Sequence, residues 1–288
     1  MDNVPAEFKE NLMFDFDVSV LSEASLLSTS YSKFAIEMFN NRFSRCFRLW
    51  NGALHKEFDF VDSTKTTLQV GENLKKFHRE THLYLYSTDT TINEELLKRI
   101  FSHAVRSSLA IFVYMHNIDD KWIKLLTSRR GIFKFYFRVA INGDQMKLLR
   151  RLVHTEQLED LGLPDRGYSD EVIDLACELF MQKQFKVLVV EHIQYDMFDR
   201  LFDLWEVYPE AFSQKVFSIR QDSEGSDNKT FRSCSEEEYL TWQKTARGFV
   251  KPEDVYILKK DFVPSGNDHV VYANCFQIGE KSYVRFKF

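Results

Sequence analysis

Glycine is scarce in this chain, ten residues in 288, and that scarcity excludes a good deal. Neither G-x-x-x-x-G-K-[ST] nor G-x-G-x-x-G occurs, so neither common phosphate-cradling loop can form. A G-x-S-x-G elbow, an H-E-x-x-H helix and a kinase signature are missing as well. Cysteine is equally sparse: Cys46, Cys177, Cys234 and Cys275 stand far apart with no C-x-x-C spacing, which fits reduced, buried thiols and neither a disulfide framework nor a zinc site. There is no excess of positive charge. Lys and Arg total 38 against 43 Asp and Glu, net −5, and without a basic footprint a nucleic-acid partner is not expected. No apolar run approaches a membrane span, and the acidic, Pro-containing start lacks the charged-then-apolar plan of a secretory signal. The expectation is a cytoplasmic or nuclear protein with no membrane, cofactor or metal. In that setting the Asn228-Lys229-Thr230 sequon stays unmodified.

What is abundant is aromatic. Twenty-seven phenylalanines and an apolar fraction of 44% supply ample core for one large or two small domains. The first forty residues read as three short helices, each too short to be stable alone in water. Pro5 suits a first helical turn, and Phe8, Leu12 and Met13 recur at helical spacing. Asp17 caps a second helix carrying Val20, Leu21 and Ala24. Ser28 caps a third with Tyr31, Phe34, Ala35 and Met38 on one stripe.

This stretch resembles the F-box. A hydrophobe-Pro-x-Glu start stands as Val4-Pro5-Ala6-Glu7, an apolar pair as Leu12-Met13, a large apolar residue before Asp as Phe16-Asp17, and a second apolar pair as Val20-Leu21. A final run stands as Ala24-Ser25-Leu26-Leu27-Ser28-Thr29-Ser30-Tyr31. Phe14 and Asp15 depart from the pattern, as if a neighbouring pair had been exchanged. The resemblance implies docking of a Skp-family adaptor, and through it a cullin, by Pro5, Leu12, Met13, Phe16, Leu21, Leu27 and Tyr31. A simple N-terminal helical cap is the plain alternative.

Residues 44–80 read as a small β connector, with short extended runs at 46–50, 57–61 and 67–70. Asn51-Gly52 is a turn signal, but the residues between the first two runs are too many for a two-residue hairpin. From residue 81 to the C-terminus a strand-then-helix unit repeats. Strands are expected at 82–87, 109–115, 132–138, 157–163, 186–191 and 215–220, starting some 22 to 30 residues apart, the length scale of leucine-rich-repeat-like solenoids. Capping signals at Thr91 with Glu94, at Asp119, at Ser169 and at Ser235 with Glu238 open the helices between them. Short β runs at 255–259, 269–276 and 282–288 predict an antiparallel meander that seals the end.

Alternating strands and helices demand a parallel sheet, either a curved one-sided solenoid or a doubly wound sandwich. In IFKFYFR, Phe133, Phe135 and Phe137 face one way and Lys134, Tyr136 and Arg138 the other. That alternation favours one face open to solvent, and hence an α/β protein built as a helical head (1–43), a β connector (44–80) and a leucine-rich-repeat-like region with a β cap (81–288). The whole resembles the F-box-associated proteins of lineage-expanded families. Such a protein would be a non-catalytic substrate receptor of a Skp-cullin-F-box ubiquitin ligase, with no active site of its own.

If the strands are in register, Tyr84, Phe112 and Tyr136 form an aromatic row on the open face, flanked by Tyr86, Tyr114, Lys134 and Arg138. Tyr and Arg are enriched in interface hot spots, so these seven are the expected contacts for a protein target. A loop or the C-terminal segment lying over this face is the alternative. Two other readings stay open: a stand-alone interaction scaffold with a decayed F-box, and an enzyme on a doubly wound sheet using Glu191, His192 and Asp196 near a strand's carboxyl end. Arg129-Arg130 and Arg150-Arg151 read as solvated helix ends, or as a minor route to phosphopeptide capture.

Overall fold

The computed structural model describes residues 5, 9, 13, 18–26, 30–64, 66–68, 76–86, 93–103, 108–128, 133–164, 168–190, 195–213 and 215–221, and the strands 232–233, 255–259, 270–278 and 281–287. Strands are β1 (Phe43–Trp50), β2 (Ala53–Val61), β3 (Thr67–Leu68), β4 (His78–Tyr86), β5 (Ser108–Val113), β6 (Phe133–Phe137) and β7 (Leu158–Leu163). They continue as β8 (Val187–Val190), β9 (Val216–Gln221), β10 (Arg232–Ser233), β11 (Val255–Lys259), β12 (Val270–Ile278) and β13 (Lys281–Lys287). Helices are α1 (Val18–Ser25), α2 (Ser30–Asn41), α3 (Glu94–His103), α4 (Asp120–Thr127), α5 (Gly143–His154), α6 (Asp170–Met181), α7 (Tyr195–Val207) and α8 (Pro209–Phe212).

All the described strands join one sheet, ordered β10-β11-β12-β13-β9-β8-β7-β6-β5-β4-β1-β2-β3. From β4 to β9 the strands follow one another across the sheet in sequence order, each adjacent pair parallel. A doubly wound sheet reverses its order at a switch point, and no reversal occurs in this run. The protein is thus α/β, with a mostly parallel central sheet and antiparallel additions at both ends.

Alternation along the strands sorts the two faces. Leu83, Leu85, Ile111, Val113, Phe133, Phe135, Phe137, Leu161 and Leu188 are buried, and they join Leu97, Ile100, Trp122, Leu126, Leu149 and Ile173 of the helices in one core. Among the described residues the other face contributes none to that core, although Cys46, Ala110 and Asp160 on it are buried. Its in-register side chains at positions 82, 84, 86, 112, 134 and 136 are only half-buried.

The helices start where short polar side chains can cap them. Asp119 accepts from Trp122 N–H at 2.9 Å, as the sequence implies. Ser169 precedes α6 but makes no side-chain cap bond. At α3 the capping side chain is Asn93, accepting from Leu96 N–H at 3.0 Å, while Thr91 lies outside the described residues. A full capping box, Asn142 with Gln145, opens α5 and anchors it further, because Gln145 Nε2 also donates to the carbonyls of Met115 and His116.

The connector region requires a correction. β2 begins at Ala53, so β1 and β2 form a tight hairpin through Asn51-Gly52, with Trp50 paired to Ala53. Both turn residues have positive φ, 48° and 74°, the geometry that suits the twist of a two-residue hairpin. Residues 53–57 are exposed, and their polar character made them read as loop. Nor is this region a separate sheet. β1 pairs in parallel with β4 along its length, and the expected boundary after residue 80 falls inside β4. The C-terminal strands β11, β12 and β13 do pair antiparallel, and β13 pairs antiparallel with β9. They prolong the sheet edge. The two outermost described strands, β3 and β10, are two residues long, which limits edge-to-edge pairing with another chain.

Candidate functional site: the open face of the sheet

Strands in a parallel sheet stand ~4.8 Å apart, so like positions on neighbouring strands stack their rings when the register is kept. Here it is kept over five strands: Arg48 pairs with Tyr84, Tyr84 with Phe112, Phe112 with Tyr136, and Tyr136 with Gly162. The Tyr84 and Phe112 rings lie 4.6 Å apart at 8°, and Phe112 and Tyr136 4.8 Å apart at 10°. The expected aromatic row therefore forms. A second row, one step along the strands, stacks Trp50, Tyr86 and Tyr114 with separations of 5.9 and 4.5 Å.

Cations stand against the ring ladder. Arg138 Cζ sits 5.7 Å from the ring centres of both Phe112 and Tyr136. Arg48 Cζ lies 5.7 Å from Tyr84 and 5.5 Å from Phe58, and Lys56 Nζ 5.1 Å from Phe58. Gly162 ends the row for a steric reason: a Cβ there would come within 2.2 Å of the Tyr136 ring. The sequence reading expected Tyr84, Phe112, Tyr136, Tyr86, Tyr114 and Arg138 here, and the structure brings them together. It missed Arg48, Trp50, Lys56 and Phe58, because pairing of β1 with β4 is a long-range event that no local pattern announces.

Beside the rings, one to two steps along the strands on the same face, lies a polar floor. Glu80 accepts from His82 Nε2 at 2.7 Å and from Ser108 Oγ at 2.9 Å, and pairs with Lys134 at 3.1 Å. Lys134 reaches Asp160 at 3.7 Å, and the Tyr136 hydroxyl donates to Asp160 at 3.4 Å. Lys134 is therefore committed to this floor rather than standing as a flanking cation. Burial alone would raise the Glu80 pKa, yet His82 and Lys134 outweigh it and hold the carboxyl well below the usual range. At Asp160 burial prevails and pushes the carboxyl up to about 6. Burial also raises the Tyr84 phenol, to about 12, and Tyr136 further. Lys134 would be lowered by burial, but Glu80 and Asp160 raise it. The acids of this face are thus answered from within, and the groups left at its surface are rings, hydroxyls and guanidinium edges. Such a surface offers binding chemistry.

The N-terminal head makes its own small core. Met13, Leu21, Ala24, Ala35 and Met38 are buried with Phe43 at the start of β1 and Phe77 just before β4, with Tyr31, Phe34 and Phe39 packed on them. Of the expected adaptor contacts, Met13 and Leu21 are therefore committed inside the chain, Tyr31 is half-buried under Lys9, and Pro5 is exposed. Leu12, Phe16 and Leu27 lie outside the described residues. Among the described residues of the head, Leu26, 85% exposed, and Ile36, 44% exposed, are the large apolar side chains turned outward.

Of the candidate acid–base group, Glu191 and His192 lie outside the described residues and Asp196 is an exposed position on α7. Arg150 pairs with Glu171, and Arg129-Arg130 also lie outside. Cys46 and Cys177 are buried thiols. Among the described residues no group of three His, Cys, Asp or Glu side chains is placed to hold a metal ion, and no helix is long and apolar enough to cross a membrane. No family model, curated protein or solved structure matches the chain.

Proposed function

We propose that this protein is a non-catalytic receptor that captures a protein target on the open face of its sheet, as a substrate-receptor subunit of a Skp-cullin-F-box type ubiquitin ligase. The observation that carries the capture reading is the in-register ladder Tyr84–Phe112–Tyr136, cation-flanked and outside the core. Aromatic and Arg side chains offer large contact area at small rotamer cost, the chemistry of interface hot spots. The sequential strand order and the confinement of the core to one face support reading residues 81–288 as a curved leucine-rich-repeat-like solenoid. The ligase role rests on the F-box resemblance of the head, with the target held near another subunit's catalytic arm so that proximity supplies the rate.

The test is co-expression with a Skp-family adaptor. Co-elution at equal stoichiometry, lost in Leu12→Asp and weakened in the exposed Leu26→Asp, is the expected result. A soluble protein that elutes alone refutes the ligase role. A second reading, a stand-alone scaffold, is favoured by one observation: Met13 and Leu21 are spent on packing against the chain's own Phe43 and Phe77, which leaves fewer apolar groups for an adaptor.

A further inference from the structure

We propose that the segment captured on the open face is proline-rich and runs as a polyproline II helix across the strands, with prolines at i and i+3 seated on the ladder of Trp50, Tyr86 and Tyr114. This rests on the reading of that face as the capture site and names the chemistry of its occupant.

Trp50 is the most exposed ring described on this face, at 54%. The strand beyond it sets Ala53 opposite, and a methyl group is too short to cover the outer indole face. The inner indole face lies 5.9 Å from Tyr86 at 21°, and Tyr86 lies 4.5 Å from Tyr114 at 18°. In polar terms these rings mostly donate. An indole N–H gives a hydrogen bond and cannot take one, and the Tyr86 and Tyr114 hydroxyls, bonded to each other, keep one O–H to give. The carboxylates nearby are engaged within the chain: Glu80 by His82, Ser108 and Lys134, Asp160 by Lys134 and Tyr136, and Glu159 beside them by Lys186. An ordinary extended peptide brings an N–H at every residue, and those turned to this surface would lose water without gaining an acceptor. A proline brings none. It presents an apolar ring and a carbonyl, and a polyproline II backbone keeps its carbonyls out of any internal hydrogen bond.

Spacing sets the motif. Trp50 and Tyr114 stand two strand spacings apart, ~9.6 Å. Polyproline II turns once every three residues and rises ~3.1 Å per residue, so prolines at i and i+3 share a side ~9.3 Å apart. A segment crossing the strands along this ladder meets Trp50 with one proline and Tyr114 with the next. The carbonyls between them then come within reach of the indole N–H and the phenol hydroxyls. A β-type segment repeats every second residue, ~6.6 Å, which matches neither one strand spacing nor two. Aromatic-lined surfaces that bind proline-rich segments gain from the stiffness of the ligand, which has little conformational freedom left to lose.

A positional-scanning library of labelled peptides, with Pro, Ala or Glu fixed at two positions either two or three apart, is passed over the full-length chain. Pools with Pro at i and i+3 should be retained about tenfold more strongly than the matching Ala pools, and more strongly than pools with Pro at i and i+2. Trp50→Ala, a change at an exposed side chain, should cut retention of the Pro pools by about tenfold, as for an aromatic anchor of an interface. Lys147→Gln on α5 should leave it unchanged, and added salt should alter it little, since no charge is paired. Retention of the Pro pools that Trp50→Ala leaves intact overturns the proposal. Equal retention of Pro and Ala pools, or preference for Glu, overturns the proline motif while leaving the face as a capture site, provided Tyr84→Ser abolishes retention. Retention indifferent to Tyr84→Ser, or retention of no pool, overturns both. Displacement of the Pro pools by an oligothymidylate probe would assign the face to nucleic acid and overturn the proposal.

Discussion

Gly162→Ala is the sharpest probe of the aromatic ladder. Gly162 does not have positive φ, so the backbone accepts alanine, and by unfolded-state entropy alone the change would stabilise by ~0.4–1 kcal/mol. Sterics oppose it. The new Cβ would stand 2.2 Å from Tyr136 Cδ1 and 3.1–3.2 Å from its Cγ and Cβ, and the last of these cannot swing away by a ring rotation. The ring must tilt, which loosens its stack on Phe112 at 4.8 Å and its bond to Asp160 at 3.4 Å. Overpacking of this kind costs ~1–3 kcal/mol, so a net loss of ~1–2 kcal/mol is expected in urea unfolding followed by circular dichroism. The decisive arm is the double variant. With Tyr136→Ala already made, the obstruction is gone and Gly162→Ala should become neutral or stabilising, a coupling of ~1.5–3 kcal/mol between adjacent strands. Equal destabilisation in both backgrounds would refute the claim that the glycine exists to seat the ring.

Asp62→Ala should cost ~3–5 kcal/mol in the same assay, because Asp62 pairs with the fully buried Arg42 at 3.2 Å and accepts from Ser44 Oγ at 2.7 Å; a loss under 1 kcal/mol would show the pair to be solvated. Burial holds the Asp160 pKa at about 6 against an ordinary 3.8, so the folded state keeps that proton longer than the unfolded chain. Its contribution is therefore present below about pH 4 and is lost as pH rises through 6. Asp160→Asn should leave stability unchanged at pH 3.5 and raise it by ~1–3 kcal/mol at pH 7, and a difference independent of pH would contradict this. Glu80, shifted the other way, favours folding above its ordinary range and gives that up in acid. Lys215 is buried and donates its ammonium protons to the carbonyls of Phe180 and Gln182 at the end of α6. Lys215→Met should cost ~1–3 kcal/mol and speed amide exchange in the last turn of α6. Unchanged exchange would show the carbonyls to be satisfied otherwise.

Much of the central sheet was legible because burial on one face imposes period two. Phe133, Phe135 and Phe137 against Lys134, Tyr136 and Arg138 announce both the strand and the side on which each residue falls. The strand at 157–163 lacks that clean alternation for a reason the structure makes plain. A register shift between Phe133 and Lys134 lets Leu158 and Asp160 follow one another opposite consecutive β6 residues, and Gly162 occupies an outward position where a bare backbone is needed. What local pattern could not supply is which strands meet at a distance. Cys46–Trp50 looked like part of a connector, yet pairing with β4 makes Arg48 the first step of the ladder and sets Trp50 on Tyr86. The Glu80–Lys134–Asp160 floor escaped for the same reason, its members being spread over three strands and eighty residues of chain.

The head shows a different limit. A helical stripe of apolar residues satisfies two demands that look alike in sequence, contact with a partner and contact with the chain itself. Leu21 and Leu26 both fall in apolar positions of the F-box-like run, yet one is fully buried and the other almost fully exposed. The burial of Leu21 and Met13 against Phe43 and Phe77 fixes the head on the sheet. The link is short and stiff. Arg42 N–H donates to Met38 O at 2.9 Å, Asp62 N–H donates to Arg42 O at 3.0 Å, and β1 begins at the next residue. With no flexible linker between α2 and the strand that carries Arg48, an adaptor bound to the head would hold the open face in one orientation. Residues withdrawn from a docking surface would then serve a receptor by making the distance from adaptor to target constant. This separates the two readings of the head physically: a scaffold has no use for that rigidity, so loosening it by Phe77→Ala should impair target modification in a receptor while leaving peptide capture by the open face unchanged.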